Sequence, residues 1–217
     1  MKSVSFDKAP IWRVIASRHP PIDLFESVAS AEEFDALYEL EALFSPQYAE
    51  STLLPSLPRS EWVFGPGAGY IMAPFIYRTP TRFSNGSFGI YYAGLDELTA
   101  IKEVAFHRAA FMAATREGPM ALEQLILRAR IACDLVDIRA EQIAHPEWYS
   151  PSVSDYPDPQ SLGLDLWQKG GDGLAFASVR HPGGECVGIF RPKVISGCRQ
   201  SRPIHYLWDG RKIASWA

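Results

Sequence analysis

The run ELTAIKEVAFHRAAFMAAT, from Glu97 to about Thr115, constrains this chain more than any other feature. It is rich in strong helix formers, Asp96 stands before it as a capping residue, and Gly118-Pro119 stops it. Before it lies GIYYAG, Gly89 to Gly94, which reads as a short buried strand reached through the tight turn at Asn85-Gly86. After it, from Met120 to Arg139, Leu125, Leu127, Ala129 and Ile131 alternate with Gln124, Ile126, Arg128 and Arg130. That pattern fits a half-buried strand and, almost as well, a helix; strand is preferred because the β-rich DLVDIR follows without a helix stop.

The rest of the chain extends this reading. APIWRVIAS, Ala9 to Ser17, is bounded by prolines and reads as a first strand with Arg13 in its middle. Ser30 and Glu33 make a capping box, and Phe34, Leu37, Leu40, Leu43 and Phe44 recur at helical spacing, which predicts a helix from Ala31 to about Phe44. Residues 45–80 carry too many prolines and glycines for long regular elements. They also carry Trp62, Phe64, Tyr70, Phe75 and Tyr77, so this is no polar linker but an aromatic insertion expected to pack onto the domain. His145 to Pro159 reads as surface loop, and Gln160 to Lys169 as a short helix ending at Gly170-Gly171. GLAFASVR and CVGIFRP flank the turn HPGGE, and HYLW and KIASW flank Asp209-Gly210, two strand-turn-strand signatures. The expected fold class is α/β (α+β): one domain over 1–217, with a mixed, mostly antiparallel central sheet and flanking helices.

Composition narrows the function classes. In 217 residues, 47% hydrophobic and 12% aromatic content exclude a disordered chain. No apolar run approaches the roughly 20 residues of a membrane span, and no signal-peptide pattern opens the sequence, so a cytoplasmic location without membrane contact is expected. A net charge of −4 has the wrong sign for direct nucleic-acid binding. Cys133, Cys186 and Cys198 lack C-x-x-C spacing, and the five histidines show no pairing suited to zinc, so no metal is expected.

Several residues could carry chemistry. Glu103 lies mid-helix with Ala100, His107 and Ala110 on its face, small neighbours that leave a carboxylate accessible. In a helix apolar on most other sides it needs a partner, with Arg82 or Arg13 as candidates; a structural ion pair to Arg108 or Lys102 is the plainer reading of a lone glutamate. Arg82 opens the turn before GIYYAG, and Arg13 sits in an apolar strand where a guanidinium must meet an anion or a carboxylate. Two converging arginines suit a pyrophosphate, whereas salt bridges are the ordinary fate of each taken singly. Tyr91 and Tyr92 point to opposite faces of one strand. Ser178 precedes a Gly-Gly turn without a G-x-S-x-G elbow, which favours a hydrogen-bonding group over a nucleophile. Gly65-Pro66-Gly67-Ala68-Gly69 is not G-x-G-x-x-G and no capped helix is expected after it, so a Rossmann site is excluded.

Arg82, Tyr92 and Glu103 in RFSNGSFGIYYAGLDELTAIKEVAFHR, followed by Ser178 in GLAFASVRHPGGECVGIF and preceded by Trp12-Arg13, resemble the RES domain. The resemblance is strongest from about Arg82 to Arg108 and recurs from Leu174 to Pro192. It departs from that family's G-G-R-W-N-like turn, which here is Pro80-Thr81-Arg82-Phe83-Ser84-Asn85, and in the long aromatic insertion before Arg82. Members look like toxins of bacterial RES–Xre toxin–antitoxin pairs, and the resemblance implies a fold similar to diphtheria-type ADP-ribosyltransferases with NAD⁺ as substrate. It also implies an Xre-family antitoxin as partner, with self-association left open. On this reading Glu103 stabilises an oxocarbenium-like ribose cation, and Arg82 and Arg13 hold the pyrophosphate or orient Glu103. Tyr92 then stacks on nicotinamide or its ribose, and Ser178 hydrogen-bonds the carboxamide or ribose. Water, phosphate or a protein side chain would accept the ADP-ribose. A noncatalytic binding domain, in which these residues form only a structural network, is the competing class.

Overall fold

A computed structural model of the protein describes residues 1–18, 23–30, 32–34, 36–37 and 57–217. Its regular elements are β1 (Lys2–Ala16), α1 (Asp23–Glu26), α2 (Ala68–Ile76), β2 (Tyr91–Gly94), α3 (Glu97–Ala113), β3 (Met120–Asp137), α4 (Pro157–Gln168), β4 (Gly173–Ala177), β5 (Glu185–Ile189), β6 (Ile195–Trp208) and β7 (Ile213–Trp216). The strands form one seven-stranded sheet in the order β1-β2-β5-β4-β3-β6-β7. All pairings are antiparallel except β3 with β4. The fold class is therefore the expected α+β arrangement. Because β1 also pairs with β3, the strands β1, β2, β5, β4 and β3 close into a circuit. Its weakest joint is between β1 and β2, which share the single register pair Trp12–Gly94.

Side-chain alternation divides the core between the two faces of this sheet. Leu125, Leu127, Ala129, Ile131, Cys133 and Leu135 of β3 join Ile11 of β1, Tyr91 of β2 and residues of α2 in one cluster. The intervening Ile126, with Val14 of β1, packs under Ala100, Ile101 and Ala105 of α3. A third cluster, containing Phe83, Phe88, Phe176 and Phe190, is covered by Leu162, Leu166 and Trp167 of α4 and by Trp148 and Tyr149. The strand reading of β3 rests on this alternation, since its odd positions serve one core and its even positions another.

α3 begins as expected. Asp96 accepts from the Thr99 N–H at 2.8 Å, which caps the helix. Burial pushes the Asp96 carboxyl up, but hydrogen bonds from the Thr99 hydroxyl and N–H outweigh this and hold it below the ordinary aspartate value. The stabilisation is thus fully present above the ordinary aspartate value and is lost as the pH falls from there through the lowered one. Replacing Asp96 by Ala is expected to lower stability by about 1 kcal/mol, read from urea unfolding at neutral pH.

Some elements extend beyond the pattern that announced them. β1 starts at Lys2 rather than Ala9, crossing a bulge between Phe6 and Ala9 where Lys8 takes a φ of 50°. β6 runs from Ile195, well upstream of HYLW, because it pairs along β3. α4 starts at Pro157, whose fixed φ suits a first turn. Of the helix expected over 31–44, residues 32–34 and 36–37 are helical and the remainder lies outside the described residues. Its capping box is formed, with Glu33 N–H donating to Ser30 Oγ at 3.2 Å and the Glu33 carboxylate accepting from Ala29 N–H at 2.8 Å.

Residues 45–56 of the insertion also lie outside the described residues. From residue 57 on it packs onto the domain, burying Trp62, Tyr70 and Phe75, while Tyr77 is exposed. A helix does follow Gly67, contrary to expectation. Glu26, remote in sequence, supplies its cap by accepting from Gly67 N–H at 2.8 Å and Gly69 N–H at 2.9 Å. That carboxylate fills the place a ligand phosphate would take, so the Gly-rich segment is a structural joint. Among the described residues no helix is long and apolar enough to cross a membrane.

Candidate functional site

A cleft of about 420 Å³ opens where β1 and β2 part, between α3 on one side and the Arg82 turn with residues 153–156 on the other. Its lining includes Trp12, Arg82, Tyr92, Glu103, His107 and Phe176. The volume lies within the range of about 300–1,000 Å³ usual for small-molecule sites.

Glu103 projects from α3 and is held by the turn after β4. Ser178 Oγ donates to Glu103 Oε1 at 2.5 Å, and accepts from the N–H groups of Arg180 at 3.2 Å and His181 at 2.9 Å. The hydroxyl is thereby saturated, its single proton committed to the carboxylate. Glu103 Oε2 has no protein hydrogen bond among the described residues. The plainer reading of Glu103, an ion pair to Arg108 or Lys102, is not the contact made, since Arg108 bonds Gln124 instead.

A second chain of bonds positions the Ser178 turn itself. Thr99 Oγ1 donates to Asp96 Oδ2 at 2.5 Å and lies 2.8 Å from His181 Nδ1. With the threonine proton given to aspartate, Nδ1–H must be the donor, which settles the imidazole tautomer. Gly184 has to lack a side chain here, because a Cβ would stand 2.4 Å from Thr99 Oγ1 and 2.7 Å from His181 Nδ1. The cap of α3 and the turn carrying Ser178 are therefore one hydrogen-bonded unit around Glu103.

The opposite wall is the Arg82 turn. Tyr92 Oη lies 3.0 Å from Thr81 Oγ1 and accepts from the Phe83 N–H at 3.1 Å, while Gln160 of α4 donates to the Thr81 carbonyl at 2.9 Å. Burial raises the Tyr92 hydroxyl to about 12, so it acts as a neutral group. Replacing Tyr92 by Phe orphans the Phe83 N–H and is expected to lower stability by about 1–3 kcal/mol, measured by chemical denaturation. Arg82 Nη1 donates to the carbonyls of Trp148 at 3.1 Å and Ser150 at 2.8 Å, and its guanidinium lies over the Tyr156 ring.

The structure brings Glu103, Arg82 and Tyr92 to the lining of this cleft, and Ser178 joins them only through its bond to Glu103. Arg13 borders it too, but its guanidinium stacks on Tyr91 at 4.8 Å and donates to the Tyr92 carbonyl at 3.0 Å. Tyr91 belongs to the core on the far face of the sheet from α3. Neither Arg13 nor Arg82 orients Glu103, as had been expected; Ser178 and the Arg180 N–H do so. Arg13 instead supplies a side-chain tie between β1 and β2, where the ladder is thinnest.

Sequence reasoning missed Arg180 and the contribution of Val153 and Tyr156, which sit in stretches without periodicity. His107 was visible only as a helix neighbour of Glu103, yet it lines the cleft. Desolvation lowers its imidazole below the usual value, Arg180, Arg82 and Arg108 add to this, and Glu103 opposes it. Cys186 lines the cleft with its thiol pushed well up by burial, which suits packing rather than nucleophilic attack. Among the described residues no group of three or more His, Cys, Asp or Glu side chains is placed to hold a metal ion.

Comparison with known proteins adds two findings. The family model of the RES domain matches residues 58–209, a span that contains Arg82, Tyr92, Glu103 and Ser178 and leaves Arg13 outside. The uncharacterized protein y4oC of Sinorhizobium fredii (strain NBRC 101917 / NGR234) is 27% identical over an alignment covering 95% of this chain and 86% of its own length.

Proposed function

Because the chain belongs to the RES domain family, we propose that it cleaves the nicotinamide–ribose bond of NAD⁺. The observation that carries this reading is the Glu103 carboxylate, tethered through one oxygen to Ser178 and, among the described residues, unbonded by protein at the other, in a cleft walled by Arg82 and Tyr92. As the glycosidic bond lengthens, positive charge builds on the ribose, and a fixed carboxylate lowers the energy of that cation. Nicotinamide leaves as a neutral molecule, so the site needs no strong general acid.

In this proposal the protein is the toxin of a bacterial toxin–antitoxin pair. Transfer of ADP-ribose to water or phosphate depletes NAD⁺ and arrests growth, and an Xre-family antitoxin blocks the site in the producing cell. The test is incubation of purified protein with NAD⁺, resolving nicotinamide, ADP-ribose and ADP-ribose 1″-phosphate with and without added phosphate. Nicotinamide release with either co-product supports depletion and identifies the acceptor. Modified cell proteins without free co-product would favour protein ADP-ribosylation, and no turnover in either assay would leave a binding domain.

A further inference from the structure

Thr99 and Glu103 stand four residues apart on α3, so their side chains share one face of the helix, about 6 Å from each other. The turn between β4 and β5 is hydrogen-bonded to both. Ser178 Oγ donates to Glu103 Oε1 at 2.5 Å, and three residues further on His181 Nδ1 lies 2.8 Å from Thr99 Oγ1. The first of these points carries the carboxylate of the cleft. The second lies apart from it, since Thr99 has no exposed surface and neither Thr99 nor His181 lines the cleft.

The second point holds the first in place. A serine hydroxyl rotates freely, and its proton stays on Glu103 only while its acceptor sites are filled. The Arg180 and His181 N–H groups fill them at 3.2 and 2.9 Å, and the Arg180 N–H also reaches Glu103 Oε1 at 3.4 Å. Those amides stand where the turn puts them. It closes through Ser178 N–H to the Gly184 carbonyl and Gly184 N–H to the His181 carbonyl, both at 2.8 Å, and the His181 ring fixes it against α3. Asp96 completes the anchor by taking the Thr99 hydroxyl proton at 2.5 Å, which leaves Thr99 Oγ1 to accept from the imidazole. The Arg180 guanidinium also lies over the Phe106 ring of α3, at 3.3 Å, but through a long side chain that does not set the backbone amides.

We propose that Thr99 and His181 are positioning residues for Glu103: by anchoring the Ser178 turn to α3 they hold the carboxylate with one oxygen tied and the other left for the substrate. The expected effect on rate rests on the function proposed above; the anchoring itself does not.

The test reads kcat and KM for nicotinamide release and, separately, hydrogen exchange by NMR at the amides of residues 180 and 181. In His181→Ala and in Thr99→Val both amides are expected to exchange about tenfold faster or more, and kcat to fall about ten- to a hundredfold with KM little changed. The double variant is expected to be no slower than either single one, because both break the same link. His181→Asn, whose side-chain amide can donate in place of Nδ1–H, and Thr99→Ser, which keeps the hydroxyl, should restore both readouts. A thermal midpoint for each variant checks folding, and His181→Ala leaves the Asp96 cap of α3 untouched. Unchanged exchange in His181→Ala overturns the anchor. A kcat that stays at the parent's value, or falls additively in the double variant, overturns its hold on Glu103. A parent without NAD⁺ turnover whose variants still exchange faster would count against the reaction and not against the anchor.

Discussion

If the proposed reaction is the right one, Glu103→Gln is expected to lower nicotinamide release from NAD⁺ by about 10²–10³-fold while the fold stays intact. Glutamine has nearly the shape of glutamate, and its amide oxygen can accept the Ser178 proton that the carboxylate now accepts at 2.5 Å. The turn after β4 therefore keeps its contact with α3, and the change is confined to the loss of one negative charge. If Glu103 acts by stabilising a developing ribose cation, that charge is what the transition state loses, and kcat falls with little change in KM. If Glu103 only ties the Ser178 turn to α3, the Gln variant keeps the tie and turns over like the parent. A matching far-ultraviolet spectrum and a thermal midpoint within about 2 °C of the parent would exclude unfolding as the cause. Undiminished release in that variant would remove Glu103 from the proposed chemistry.

The second large effect is structural. Gly163 lies in the middle of α4, where glycine ordinarily weakens a helix and alanine would strengthen it by roughly 1 kcal/mol. Here the sign reverses. A Cβ on Gly163 would stand 1.9 Å from the Phe83 carbonyl oxygen and 2.8 Å from its carbon, both backbone atoms of a residue with no exposed surface. α4 would have to back away from the Arg82 turn, loosening the Gln160 bond to the Thr81 carbonyl and the packing of Leu166 against Phe83 and its neighbours. Gly163→Ala is expected to cost about 3 kcal/mol in urea unfolding and to lower turnover, because Arg82 and Tyr92 share that turn. A variant as stable as the parent or more so would mean that α4 can slide freely over Phe83, and the close approach would carry no weight.

Much of the fold follows from near-neighbour chemistry. The Asp96 cap, the helix behind it and the alternation of β3 are each written within a few residues, so period and capping are enough to place them. The hairpins around HPGGE and Asp209-Gly210 are local for the same reason, and so is the bond from Glu33 N–H to Ser30 Oγ. The site residues Glu103, Arg82, Tyr92 and Ser178 stood out through their spacing and their resemblance to the RES domain, and the matched span 58–209 includes all of them.

What period and capping could not supply is the relation between distant segments. Arg82 meets Trp148 across 66 positions, Ser178 meets Glu103 across 75, and Arg13 meets the Tyr92 carbonyl across 79. Such contacts depend on which strands pair and in what register, a property of the whole sheet rather than of any window along the chain. Closure of β1, β2, β5, β4 and β3 into a circuit sets the cleft at the joint of β1 and β2, turns the Arg13 guanidinium toward Tyr91, and makes Ser178 the partner of Glu103. The residue types needed for the chemistry were legible along the chain. Their assignment to partners was not, because a hydrogen bond requires two groups within about 3 Å in space, and only the assembled sheet sets those distances.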